Sequence, residues 1–154
     1  MIRKNLKTPI ALVCGGLLLG GTAVLATPGL LAVGTKLAVV TIATEFKIKQ
    51  KGPSDLVFST VTFQPGGNTG WHRHAGPHFV SVKTGSVTIF HSPDCIPEVF
   101  PAGTGFVDEG DDDIHIGVAD ATVPTTIFVL DNPQPGQNNR IDVPAPVGAA
   151  NCGH

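Results

Sequence analysis

An all-β sandwich or barrel is the fold class this sequence predicts, and three observations predict it. Beyond the N-terminal apolar stretch, no segment carries the 3.6-residue periodicity of an amphipathic helix. Short β-branched and aromatic runs recur instead. Gly, Pro, Asn and Asp separate those runs at close intervals, as in all-β domains. The 154 residues suffice for one domain with an appended segment, and no internal repeat is visible.

The first segment, MIRKNLKTPIALVCGGLLLGGTAVLATPG, opens with Arg3, Lys4 and Lys7, and the next charge is Lys36. A basic start, an apolar middle and the small-residue exit Val24-Leu25-Ala26 predict a secretory signal peptide over residues 1–26, cleaved after Ala26. An uncleaved membrane anchor is the rival reading, because the uncharged run is long enough to span a bilayer. Gly15, Gly16, Gly20, Gly21, Pro28 and Gly29 make it a poor spanning helix. The expected location is therefore extracytoplasmic, with no membrane contact after cleavage.

Three of the ten basic residues lie in this leader, so seven remain against twelve acidic ones, a net charge near −5. An acidic exported chain without clustered Lys or Arg is a poor partner for nucleic acid or anionic membranes. Cys14 departs with the leader, and Cys95 and Cys152 remain. An even pair in an oxidising compartment predicts one disulfide, with two free thiols as the alternative.

Residues 27–35 read as a flexible lead-in, 36–131 as the barrel and 132–154 as an extended tail rich in Pro, Gly, Asn and Ala. Within the barrel, Leu37 to Ile42 is a first strand candidate, and EFKIKQ alternates apolar and charged residues like a solvated strand face. LVFSTVTF, Leu56 to Phe63, has strong strand propensity and stops at Gln64-Pro65-Gly66-Gly67. His78 to Val82 and Ser86 to Phe90 follow, with Thr84-Gly85 read as a hairpin turn. Glu98 to Phe100, Gly105 to Val107, Ile114 to Val118 and Thr125 to Leu130 complete the set.

Half of the six histidines fall in WHRHAGPHFV. On a strand, His72 and His74 share one face while Trp71 and Arg73 take the other. Gly76 and Pro77 reverse the chain, and His78 opens the returning strand toward the same interior. His115, between Ile114 and Ile116, offers a fourth imidazole from a later strand. Neutral imidazole suits Zn, Fe, Cu and Ni, and Mn with added oxygen donors, so His72, His74, His78 and His115 are the predicted ligands of a divalent transition metal. His91 and His154 receive no role. The acidic run Asp108, Glu109 and Asp111 to Asp113 reads as a solvated loop, with a rim binding a second cation such as Ca as the alternative.

These residues resemble the first motif of the cupins, Gly, five residues, His-x-His, three or four residues, Glu, six residues, Gly. Here Gly66, His72-Arg73-His74, His78 and Gly85 keep every spacing, with His78 in the glutamate position. The second motif is less well kept: GDDDIH replaces Pro-x-Gly-x-x-His, and Ala119 stands where asparagine is common. The resemblance covers roughly Asp55 to Leu130. It implies a double-stranded β-helix, or jelly-roll barrel, of two antiparallel sheets around a metal-bearing cavity. It also leaves a homodimer through sheet edges open to this chain.

An all-imidazole set leaves the cation's charge uncancelled, which favours an anionic ligand. It also removes the family's carboxylate from any proton transfer. One functional expectation is a metal-dependent dioxygenase or oxidoreductase acting on a small oxygenated molecule. The alternative is a non-catalytic module that binds a metal or small ligand, since four histidines can close a tetrahedral site. A structural barrel with vestigial histidines is a third. The chain contains no tyrosine, and no general base stands out beyond the histidines.

Overall fold

The computed structural model describes residues 35–50, 52–110 and 113–153. The predicted leader, residues 27–34 of the lead-in, and Asp111 and Asp112 of the acidic run lie outside them. Among the described residues, ten strands form two five-stranded sheets: β1 (Thr41–Ile42), β2 (Val57–Phe63), β3 (His72–His74), β4 (His78–Thr84), β5 (Ser86–His91), β6 (Pro97–Pro101), β7 (Thr104–Asp108), β8 (His115–Ala119), β9 (Thr125–Asp131) and β10 (Arg140–Asp142). One sheet runs β1-β7-β4-β9-β2 and the other β10-β3-β8-β5-β6. Every named pairing is antiparallel except the short β1–β7 contact. This is the jelly roll expected from the motif.

Strand alternation explains where the core sits. Val80 and Val82 of β4, Val87 and Ile89 of β5, and Ile127 and Val129 of β9 are buried in one cluster, with Phe63, Phe100 and Phe106 packed against it. They are the inward residues of a period of two, so each strand closes the cavity with one face. Burying one such aliphatic side chain contributes about 1.5–3 kcal/mol. The other faces of β3 and β8 are covered as well. Trp71 and Ile116 form a second buried cluster with Ala149 and Cys152 of the C-terminal 3-10 turn (Ala149–Cys152). The Cys95–Cys152 disulfide, with its Cα atoms 5.1 Å apart, ties that turn to the loop after β5.

Several sequence readings change in three dimensions. The Ala75-Gly76-Pro77 turn is not a hairpin: β3 and β4 belong to different sheets, so the chain crosses the cavity there. Gly76 is required at that crossing, because a Cβ would press on the carbonyl oxygen of Asn132 at 2.7 Å. Thr84-Gly85 is likewise a corner between sheets, with Gly85 at φ 70°. The predicted strand at Leu37 shrinks to Thr41–Ile42, and EFKIKQ forms no strand. It packs by side chain instead, with Phe46 edge-on to Phe79 at 5.9 Å. The segment read as an extended tail supplies β10, whose three residues pair with His72 to His74. A Pro- and Gly-rich composition hid that edge strand, which gains its order from β3 rather than from its own propensity.

Candidate metal centre

The inward rows change character at one end of the barrel. Val82 and Val80 lead to His78 on β4, and Ile127 and Val129 lead to Asp131 on β9. Val87 and Ile89 lead to His91 on β5, and Phe106 leads to Asp108 on β7. Register aligns these ends. His78 lies opposite both Asp131 and Asp108, while His115 lies opposite both His72 and His91. Two facing rows of titratable side chains thus meet at one level, one row from each sheet.

His72, His74 and His115 converge: each offers a ligand nitrogen, and these atoms lie within 4.8 Å of one another. Their ring centroids are 4.4 Å apart for His72–His115 and 4.9 Å for His72–His74. All three are buried. His78 reaches the group from the opposite sheet, its ring stacked on His74 at 3.9 Å. It belongs with His74 and Asp131 to a second set of mutually close ligand atoms. The structure therefore brings all four predicted histidines together, with His74 as the shared member.

Hydrogen bonds select the tautomers. The His72 Nδ1 lies 2.9 Å from the Gly70 carbonyl oxygen, and the His115 Nδ1 lies 3.2 Å from that of Asp113. A carbonyl can only accept, so each ring donates from Nδ1 and keeps its lone pair on Nε2. His78 donates from Nδ1 to Asp131 Oδ1 at 2.7 Å. Asp131 is held in turn by the Asn139 side-chain N–H at 2.7 Å, and the Asn139 Oδ1 accepts the Gly76 N–H at 2.7 Å. Such carboxylate–imidazole pairs orient a ligand ring and raise its basicity.

His74 stands apart. Neither of its ring nitrogens has a hydrogen-bond partner among the described residues, and both are buried. A buried imidazole without partners forfeits its hydration, unless something else satisfies a lone pair. Burial, then the neighbouring His78, His72 and His115, push its pKa down to about 2. Burial and His115 push His72 down to about 4. Both rings are thus neutral at physiological pH, the form that ligates metal. Burial raises Asp131, but hydrogen bonds from His78 and Asn139 outweigh it and hold the carboxylate below its usual range. An orphaned imidazole between three others, two of them presenting Nε2 by hydrogen bonding to carbonyls, fits a transition-metal cation.

A histidine pair on β3, a third at the head of β4, a fourth on β8 and two facing antiparallel sheets in this strand order decide the fold. It is the fold of a cupin. No protein-family model and no curated protein sequence matches the chain. Among solved structures, the barrel is similar to an RmlC-like cupin from Shewanella frigidimarina, at 18% identity over 53% of this chain and 68% of that one, with a TM-score of 0.45. A cupin domain from Bordetella pertussis gives 17% identity over 64% of this chain and 98% of that one, with a TM-score of 0.45. Oxalate oxidase in complex with the substrate analogue glycolate gives 19% identity over 60% of this chain and 53% of that one, with a TM-score of 0.48. At these identities the likeness is one of fold.

Sequence reasoning missed Asp131, Asn139, His91 and the burial of Asp108 in this barrel. The strand readings Thr125 to Leu130 and Ser86 to Phe90 each stop one residue short of an inward polar side chain. Extending the alternation by a single step reaches Asp131 and His91. Asp108 is not in a solvated loop either: it ends β7, and burial raises its pKa. Trp71 faces away from His72 as expected, into the layer under the C-terminal turn.

Proposed function

We propose that this chain is a metal-binding cupin of an oxidising compartment, which presents a divalent transition metal to a small oxygen-bearing molecule. His72, His74 and His115 would hold the cation through neutral imidazole nitrogens. The single observation that carries this reading is His74, buried among three imidazoles with both nitrogens unpartnered. The Cys95–Cys152 bridge supports the compartment, because disulfides persist where the milieu is oxidising.

A bound cation supplies Lewis acidity, and redox chemistry if the metal is Fe, Cu or Mn. The protein's own contribution is placement. Gly70 and Asp113 carbonyls fix the rotation of His72 and His115, and Asp131 fixes His78. Valine and isoleucine side chains close the barrel below the imidazoles and exclude water from that side. A cleft of about 500 Å³ reaches His115 from the β5 and β7 side, and provides the route for a small ligand.

His78 favours a second reading, a closed binding module. Its Nδ1 is committed to Asp131, so its Nε2 is available as a fourth nitrogen beside His74. Four imidazoles around Zn leave no position for chemistry.

Metal content and an oxygen-uptake screen separate the two readings. Protein purified without chelators is analysed for metals, beside a His74→Ala variant. About one equivalent lost on substitution supports the centre. Fe, Cu or Mn with oxygen uptake supports the enzyme, and Zn without turnover the binding module. A folded wild type that stays empty when offered all of these metals overturns both.

A further inference from the structure

The strand that carries His72 and His74 draws most of its sheet pairing from the C-terminal segment. β3 is three residues long. It meets β8 at one register pair, His72 opposite His115. It meets β10 at three, from Arg140 opposite His74 to Asp142 opposite His72. β10 is an edge strand, and three residues are too few to hold it there by pairing alone.

The two ends of β10 are anchored differently. Upstream, Asn139 is buried, its carbonyl accepts the Ala75 N–H at 2.9 Å, and its side chain joins Gly76 to Asp131. Downstream, the Val143 N–H donates to the Trp71 carbonyl at 3.1 Å. Beyond Val143, no backbone–backbone hydrogen bond ties the segment to the barrel among the described residues. The Ala149 N–H turns back to the Pro146 carbonyl instead. Apolar packing of Ala149 and Cys152, together with the Cys95–Cys152 bridge, holds this far end.

Strand alternation connects that end to the imidazoles. The residues beneath the C-terminal turn include Trp71, Ile114, Ile116 and Phe90. Trp71 adjoins His72 in sequence, the two isoleucines flank His115, and Phe90 precedes His91. The turn therefore presses on the outer side of the strands whose inner side carries the rings.

We propose that the Cys95–Cys152 bridge is a redox latch on the imidazole centre. Closed, it clamps β10 and the C-terminal turn against β3 and so positions His72 and His74. Open, it lets the chain fray from Cys152 back to Asn139, and β3 loses its main partner. Opening takes two electrons and two protons from a thiol or phosphine reductant, which is itself oxidised, and leaves two thiols. The centre is thus completed only in the oxidised chain, and a chain still reduced holds a cation weakly. That consequence for metal rests on the proposed function, whereas the consequence for β3 does not.

The first test is hydrogen–deuterium exchange of the metal-free, full-length chain. Oxidised wild type is compared with the Cys95→Ala, Cys152→Ala double variant. Wild type reduced with a phosphine after folding covers the case in which that variant does not fold. Without the bridge, exchange over 71–74 and 140–143 should accelerate at least about tenfold more than exchange over β4 and β9. Emission from Trp71, the only tryptophan of the chain, should shift to the red. The second test loads the bridged and unbridged proteins with Zn²⁺ or, separately, Mn²⁺, and captures released metal with a chromogenic chelator. Release should be about 10–100-fold faster without the bridge. Unchanged exchange over 71–74 overturns the latch. An equal acceleration in β3, β4 and β9 also overturns it, since the bridge then adds only global stability. Local loosening with unchanged metal release overturns the positioning role. A wild type that takes up neither metal counts against the proposed function instead, and the exchange pattern at β3 still decides the latch.

Discussion

Acidifying the metal-free protein from pH 7.5 to pH 5 should unfold it more easily, by an amount the buried imidazoles set. His72 and His74 titrate near 6.5 in an unfolded chain, but in the fold their pKa values fall to about 4 and about 2. The folded values are depressed, so below 6.5 the unfolded state takes up protons that the folded state refuses. The stability from these groups is therefore complete above 6.5 and is lost as pH falls toward the folded values. Each unit of that mismatch is worth about 1.4 kcal/mol per site. At pH 5 both rings are still neutral in the fold, so each costs about 2 kcal/mol, and the pair about 4 kcal/mol. His91 works in the opposite sense, because its hydrogen bond to Asp113 raises its pKa, but its ring is 39% exposed and solvent weakens the effect. Burial of Asp108 also opposes the loss. Hydrogen bonds from His115 and His91 hold Asp113 below its usual range, so its contribution is lost only below about pH 4, outside this window. Urea denaturation in EDTA with the disulfide intact is the assay. A slope of about 1–3 kcal/mol/M converts the loss into a midpoint drop of about 1.3–4 M. His74→Gln, which has no titrating ring, should show about half the drop. Equal midpoints at the two pH values, or an undiminished drop in His74→Gln, would refute the burial argument.

Four further outcomes follow from the same contacts. Asp131→Asn removes the carboxylate that accepts from His78, and should weaken metal binding by about 10–100-fold in competition with a chromogenic chelator. Cys152→Ala opens a bridge spanning 57 residues of sequence and should cost about 4 kcal/mol, read as a lowered urea midpoint that reducing agent does not lower further. Ile127→Ala leaves a cavity in the apolar half of the barrel and should cost about 2–5 kcal/mol in urea, with metal stoichiometry unchanged. Gly76→Ala drives a methyl group into the Asn132 carbonyl, and should lower both thermal stability and metal affinity, since this crossing carries His78 to its wall.

Much of the centre was readable from spacing alone. His72 and His74 share a strand face because side chains alternate, whatever the rest of the chain does. His115 between two isoleucines reads as inward for the same reason, and Ile114 and Ile116 do pack in the outer layer with Trp71. The apolar strand runs, the turn residues between them and the cysteine pair likewise carry their meaning locally. Position across the barrel is a different kind of information. That β3 and β4 stand in opposite sheets, that Asp131 lies in register with His78, and that His91 and Asp108 flank His115 are outcomes of strand order. Nothing in a run such as TIFVLD states which strand it will pair with. Pairing is settled by the burial of all the inward rows at once, and a displacement of one residue would turn every one of them outward. Local alternation thus named the rings, and cooperative packing of two sheets chose their neighbours.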